Sequence, residues 1–415
     1  MNKGQNKIFV SAYACEPGLG SEIGVGWHWV LEMSKYFELW VLTRESNRHT
    51  IEPWIAEHPE YARIHFLYFD LPKWARFWKK GLRGVRIYYN IWQWCTNSIV
   101  KHTMRENDIK IFHHLTYGNA MWPVSRYGQR QVFVWGPVSA GVMLPKDFTR
   151  EFPFASRCKE ALQRFVTRTL PFNFGFRSRC RNVYLMLCKT DATIACVPAK
   201  YRNKCVQCTD VAVDMKAIKR QDETQQTLQS FFIQYTAIGT LVGWRNFDVL
   251  VQAFAKAYNA NKALRLRIVG DGPMRKKLEM MIRHLNLSEC VTMAGQLPIE
   301  EYYNEIAAAD VVVNPCFREG AVTVSFDSMN FAKPLICFDT GGYTHYFKDE
   351  YSCVIRSVET RADAIDQLAD RILFMADRNR IKQYGEMAYE AGKKYDWTHK
   401  GQEIKRLFEQ LDEIK

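Results

Sequence analysis

The sequence predicts an α/β fold in two domains, and three observations carry that reading. Short β-branched runs such as Ala309 to Asn314 are apolar almost throughout, as strands buried on both faces of a parallel sheet are. These runs lead into glycine-bearing loops and then into apolar residues at helical spacing, the repeating unit of a parallel sheet. A chain of 415 residues with 47% hydrophobic composition is ample for two such domains and excludes a largely disordered protein.

In the first half, Lys7 to Tyr13 reads as a strand. The loop after it, Glu16 to Trp27, carries four glycines before a helix that runs to about Lys35. This is the form of a Rossmann-like opening, but not the dinucleotide fingerprint: the glycine spacing differs and no acid ends the next strand, Leu39 to Thr43. Ile109 to Thr116 is a further short strand containing His113 and His114, whose side chains must point to opposite faces. Trp135 to Gly141 reads as a loop, and Asp191 to Ala195 as strand-like. The first domain is expected at 1–215 and a polar linker at 216–229. The second domain is expected at 230–395, and Ile404, Leu407, Phe408 and Leu411 mark a terminal helix within 396–415.

In the second half the run Asn314 to Asp327 sets Glu319 and Asp327 eight residues apart, around a turn that follows a buried strand. Pro315 stops the strand, Gly320 permits the turn, and Val324 to Ala332 has helical spacing before Lys333 and Pro334 end it. A helix starting near Val322 aims free N–H groups and its positive dipole end at the sheet's carboxyl edge, an arrangement that suits a phosphate or diphosphate. Two acids at such a place also serve merely as helix N-terminal residues, so the pair alone does not decide a function.

Four collinear segments do more. Glu319 to Asp327 resembles the E-x7-E element of the retaining glycosyltransferases of family 4, the glycosyl transferases group 1. Ile238 to Asp248, followed by Leu250, Ala253 and Phe254, resembles that family's G-R-L-x-x-x-K-G-x-D segment. Ile268 to Pro273 with Leu278 resembles its strand-turn-helix around the nucleotide, and Leu335 to Gly342 resembles the strand and double glycine after the acidic helix. The resemblance implies the GT-B fold: two facing Rossmann-like domains with an interdomain cleft and a C-terminal helix returning to the first domain.

It also implies roles. Glu319 would meet the sugar and the charge that develops on it, Asp327 the ribose, and Gly270, Gln296 and Leu297 the nucleotide. Arg245, Thr240, Val322 and Thr323 would hold the donor diphosphate, joined by Gly20 and Ser21 through backbone N–H groups. His113 and His114 stand where the family often has a histidine bordering acceptor and sugar. Two departures matter: Thr240 occupies an arginine position, removing one cation, and Asp327 is one methylene shorter than glutamate. Arg245 replaces a lysine and holds phosphate through a two-pronged fork.

The implied activity is retaining transfer of a sugar from a nucleotide-diphosphate sugar to a hydroxyl of a saccharide or lipid-linked saccharide, in cell-surface polysaccharide assembly. No metal and no cofactor beyond the nucleotide-sugar co-substrate is expected. Two alternatives stay open: a nucleotide-sugar epimerase, and a non-catalytic membrane-associated partner protein, for which the missing arginine at Thr240 speaks.

The net charge of +13 is unevenly placed. From Lys73 to Arg105 there are eight Lys or Arg and no acid, interleaved with Trp74, Phe77, Trp78, Tyr88, Tyr89, Trp92 and Trp94. Such a surface suits an anionic membrane, unless the aromatics are core and the cations a solvated face. No nucleic-acid module accompanies the charge, so nucleic acid is not expected. No charged-then-apolar leader and no spanning run is seen, so the expectation is a cytoplasmic protein in peripheral contact with the inner face of the membrane. The 12 cysteines fit that compartment, and Cys205 and Cys208 lack a second pair at zinc spacing.

Overall fold

The structure is a computed structural model. It describes residues 7–79, 84–125, 127–128, 131–150, 152, 154–215, 231–318, 323–356 and 358–411. The chain divides into two compact units, Met1–Gly141 with Val166–Asp210 and Trp397–Lys415, and Val142–Phe165 with Val211–Asp396.

The first unit is built on seven parallel strands: β1 (Lys7–Ser11), β2 (Glu38–Arg44), β3 (Ile64–Phe69), β4 (Ile111–His114), β5 (Val132–Val138), β6 (Leu185–Cys188) and β7 (Cys205–Gln207). They lie in the order β3-β2-β1-β4-β5-β6-β7. The central strands carry no polar alternation because helices cover both faces; Ile8, Phe9 and Val10 are all fully buried. The order reverses between β1 and β4, and in open parallel sheets a crevice opens at the carboxyl ends of the strands at such a reversal. The helix Ser21–Ser34 follows β1, and the loops after β1 and β4 interlock there: the Ala14 N–H donates to Thr116 Oγ1 at 3.1 Å and the Tyr117 N–H to Glu22 Oε1 at 2.7 Å.

The second unit repeats the plan with β8 (Ile233–Ile238), β9 (Leu264–Val269), β10 (Val291–Gly295), β11 (Val311–Asn314), β12 (Leu335–Phe338) and β13 (Ser352–Ile355), ordered β10-β9-β8-β11-β12-β13. Its reversal falls between β8 and β11. The core beneath joins Leu266, Ile268, Val311 and Val313 of the sheet to Phe254 of helix Phe247–Ala260 and to Leu368 and Ile372 of helix Arg361–Phe374.

Three details depart from the sequence reading. Asp191–Cys196 is a helix, because Thr190 caps it by accepting the Thr193 N–H at 3.2 Å; the strand is the preceding Leu185–Cys188. Trp135 to Val138 is no loop but the end of β5, paired with β4 and β6 across a register shift. Residues 142–165, expected in the first domain, group with the second unit. Phe148 is fully buried against Phe317 with ring centroids 4.5 Å apart, and Asp147 Oδ2 accepts the Arg361 N–H at 2.8 Å. The helix Trp397–Glu409 packs on the first unit, where Gly401 meets Glu32, Trp397 stacks on His28 and Phe408 touches Phe37.

Candidate functional site

At the carboxyl edge of the second sheet, the loops after β8, β9 and β10 are knitted through backbone bonds. The Gly239 N–H donates to Val269 O at 2.9 Å, the Leu241 N–H to Asp271 O at 3.0 Å, and the Gly270 N–H to Gly295 O at 2.7 Å. Gly270 has φ +131°, and a Cβ there would lie 2.1 Å from Gly239 O, so only glycine lets these turns close. This places the nucleotide candidate Gly270 directly against the turn that begins the Arg245 segment. Gln296, exposed, and Leu297, half-buried, follow β10 on the same edge.

The turn after β8 carries Thr240, which is exposed, and ends in the short 3-10 helix Gly243–Arg245. Asn246 then adopts the left-handed conformation, φ 55°, at the position where the resembling family has glycine. Asparagine tolerates that region better than other side-chain-bearing residues. Its Nδ2 donates to Pro315 O at 3.3 Å, so the turn after β8 is tied to the loop after β11 across the strand-order reversal. The Arg245 guanidinium lies over the Trp244 ring, 5.0 Å from its centroid, and its Nη1 sits where a Cβ on Gly239 would come within 2.9 Å. The cation is thus folded back over the end of β8, where an anion at the sheet edge would meet it.

Asp248 of the same segment points the other way. It is buried and paired with Arg361 at 3.0 Å and Lys277 at 3.6 Å, joining three helices.

The loop after β11 is pinned residue by residue. Asn314 Oδ1 accepts the Cys316 N–H at 3.1 Å, and the Phe317 ring lies between Phe338, 4.3 Å away, and Phe148. Thr340 Oγ1 donates to Phe317 O at 2.7 Å. Arg318 makes a two-pronged ion pair with Glu160 of helix Phe154–Thr169, at 3.0 and 2.5 Å, both side chains largely buried. Sequence reasoning missed Glu160 and Phe148: they lie 158 and 169 residues from Arg318 and Phe317, and no local pattern marks such partners. The anchored loop delivers the chain to Glu319. Glu319 and Val322 lie outside the described residues.

Thr323 opens the helix Thr323–Asn330 and is half-buried. Asp327, in its second turn, is 7% exposed and its Oδ2 accepts the Tyr302 hydroxyl of helix Ile299–Ala308. Burial pushes its carboxyl up to about 7, the Tyr302 hydrogen bond holds it back, and Asp214 pushes it further. The ribose candidate is therefore already engaged by a tyrosine from the neighbouring helix.

In the first unit, Gly20 is exposed and extended, and with Ser21 it opens the helix after β1, although Glu22 puts a carboxylate into that first turn. His113 and His114 do point to opposite faces, yet both are sealed, at 0% and 1% exposure. His113 Nε2 bonds Gly136 O at 2.7 Å, between Trp29 and Phe408; His114 Nε2 meets the Tyr89 hydroxyl at 2.9 Å. Burial lowers them to about 4 and about 3, so both are neutral near pH 7. The sequence allowed at most one of the two imidazoles into a cleft, and neither is open: residues at the centre of a parallel sheet stay covered on both faces. Of the basic aromatic stretch, Tyr88, Tyr89 and Trp92 are likewise core, whereas Trp74, Phe77, Ile87 and Trp94 are well exposed. Among the described residues no cluster of three His, Cys, Asp or Glu could hold a metal, and no helix is long and apolar enough to cross a membrane.

Residues 219–390 match the family model for glycosyl transferases group 1. A D-inositol 3-phosphate glycosyltransferase of Nocardia farcinica is 30% identical over 161 residues, 37% of this chain and 35% of that one. An uncharacterised glycosyltransferase of Methanocaldococcus jannaschii is 25% identical over 177 residues, 42% of this chain and 48% of that one. The matched stretch thus spans less than half the length of these two relatives. Over nearly whole chains, the backbone is similar to the crystal structure of Anabaena Alr3699/HepE in complex with UDP and glucose (TM-score 0.58, 14% identity, 98% and 99% coverage). It is also similar to WaaG, a glycosyltransferase involved in lipopolysaccharide biosynthesis (TM-score 0.60, 14% identity, 97% and 99% coverage). The fold is GT-B.

Proposed function

We propose that the chain, whose residues 219–390 match the glycosyl transferases group 1 model, is a retaining glycosyltransferase of that family working in cell-surface polysaccharide assembly. It moves a sugar from a nucleotide-diphosphate sugar to a hydroxyl of a saccharide or lipid-linked saccharide, without metal or cofactor. The observation that supports this best is the pinned loop Asn314 to Arg318, which holds the approach to Glu319 beside the turn carrying Arg245.

In this reading Arg245, the N–H groups of Val322 and Thr323, and the Thr240 hydroxyl take the diphosphate. The missing arginine makes Arg245 the principal cation there. Gly270, Gln296 and Leu297 border the nucleotide. The bond from the anomeric carbon to the diphosphate oxygen breaks as the acceptor oxygen bonds the same face, and the departing phosphate takes the acceptor's proton. Glu319 positions the sugar and offsets the positive charge that develops on it. Gly20 and Ser21 offer backbone N–H groups to a diphosphate. His113 and His114 act as neutral supports beneath the acceptor side, because burial keeps them uncharged.

Asp327, bonded to Tyr302, holds the helix Thr323–Asn330 in place and reaches the ribose from that fixed position. The exposed Trp74, Phe77, Ile87 and Trp94, with Lys73, Arg76 and Arg86 among them, form the face that meets anionic lipid. Ile87 and Trp94 share one side of helix Val85–Cys95, two turns apart.

The test is a donor panel beginning with UDP-glucose, the donor bound in a HepE structure. Acceptor-dependent release of nucleotide that Glu319→Gln greatly lowers is the expected result. Isomerised donor without transfer, or binding without turnover across the panel, would replace this reading with an epimerase or a non-catalytic partner.

A further inference from the structure

On the outer edge of the second sheet, away from the loops after β8, β9, β10 and β11, lies a cavity of about 240 Å³. It is lined by Arg356, Arg371, Gln367, Ser352 and Tyr384, with Cys353, Val354 and Phe374 as its apolar wall and Asp349 at one side. β13 is an edge strand, so nothing in the sheet covers it beyond.

We propose that this cavity binds a small phosphate-bearing molecule, at a site separate from the candidate donor site.

The lining offers two guanidinium forks and the Tyr384 hydroxyl as donors, while the Gln367 amide is engaged with Asp363 Oδ1 at 2.8 Å. Its one carboxylate, Asp349, is held by Arg356, which also reaches Asp339 at 3.4 Å. Arg371 is exposed, and its guanidinium has no hydrogen-bond or ion-pair partner among the described residues. A cation left without a counter-charge beside a concave, donor-lined surface is the arrangement that phosphate recognition uses. Arg380 adds positive charge nearby, lying 3.9 Å over the Phe374 ring that walls the cavity. The volume exceeds what a bare phosphate fills, and Val354 and Phe374 leave room for a compact organic part.

Hydrogen exchange on the full chain tests this, with inorganic phosphate as one titrant and glycerol 3-phosphate as the other. Saturable protection of 349–356 and 367–374 is expected. Arg371→Ala should weaken it about tenfold or more and Tyr384→Phe several-fold, as loss of a charge-assisted and of a neutral hydrogen bond does. Circular dichroism of both variants should match the wild type. Protection should persist in Arg245→Ala, which removes the donor-site cation, so failure here and failure of the transferase reading are distinguishable. A clearly tighter midpoint for glycerol 3-phosphate assigns the site to a phosphorylated metabolite; equal midpoints assign it to the free anion. Absence of saturable protection in the wild type, protection unchanged in both variants, or protection lost in Arg245→Ala would overturn the proposal.

Discussion

The carboxyl edges of the two sheets are built alike and filled differently. At the second, Thr240, Arg245 and Gln296 sit in the loops and turns after the strands: Thr240 and Gln296 are exposed and Arg245 is half-buried. At the first, the histidines sit within the strand itself, at 0% and 1% exposure and held neutral by burial. A strand end in a doubly covered sheet gives its side chains to packing, and the loop beyond it gives its groups to ligands. The two edges also bury opposite kinds of titratable group, bases in the first unit and the Asp327 acid in the second.

The largest effect expected is on transfer. Glu319→Gln should lower kcat/KM by about 10²–10³-fold with the melting temperature unchanged, as loss of one stabilising group at developing charge does. Arg318→Ala and Glu160→Ala should each give a smaller loss, on the order of tenfold, and the double variant no more than either, because the pair acts as one clamp. Additive losses in kinetic assays would show that the clamp does not act through the loop. Next, Asp248→Ala should destabilise the second unit by about 3 kcal/mol by removing the buried carboxylate that Arg361 pairs with, read in denaturant unfolding.

The pH slopes sharpen the contrast. His113 and His114 bind protons less readily folded than unfolded, so their contribution to stability should fall as pH drops from 6.5 through about 4 and 3. Asp327 binds its proton more readily folded, so its contribution should fall as pH rises from 3.8 through about 7. Unfolding midpoints of His114→Asn and Asp327→Asn across pH 4–7 should flatten these two opposing slopes separately. The smallest effect on the fold is expected from Trp94→Ala together with Trp74→Ala. It should weaken sedimentation with anionic vesicles several-fold while moving the stability by under about 0.5 kcal/mol.

The parallel sheets were legible because buried strands announce themselves as apolar runs, and β1, β2, β11 and β12 fall within a residue or two of the expected spans. The helix at Asp191 was misread because a short apolar run fits helix or strand equally, and the Thr190 cap that decides it was overlooked. Arg245 and Gly270 could be picked through the family resemblance, since the segments that carry it are short and continuous in sequence. The partners of Arg318 and Phe317 could not, since an ion pair across 158 residues leaves no periodic trace. Nor does a strand pattern say how deeply its last residues are covered, which is why one histidine of the pair stayed a candidate for a cleft.

Residues 142–165 have one more consequence. Grafting domains between relatives is ordinarily planned by cutting where the first domain ends in sequence. In this chain such a cut at the polar linker would carry Phe148 and Glu160 away with the wrong partner. The grafted second domain would keep every strand, yet Phe317 would lose a ring and Arg318 its carboxylate just ahead of Glu319. Specificity exchanged that way should come at the expense of rate unless residues 142–165 travel with the second domain.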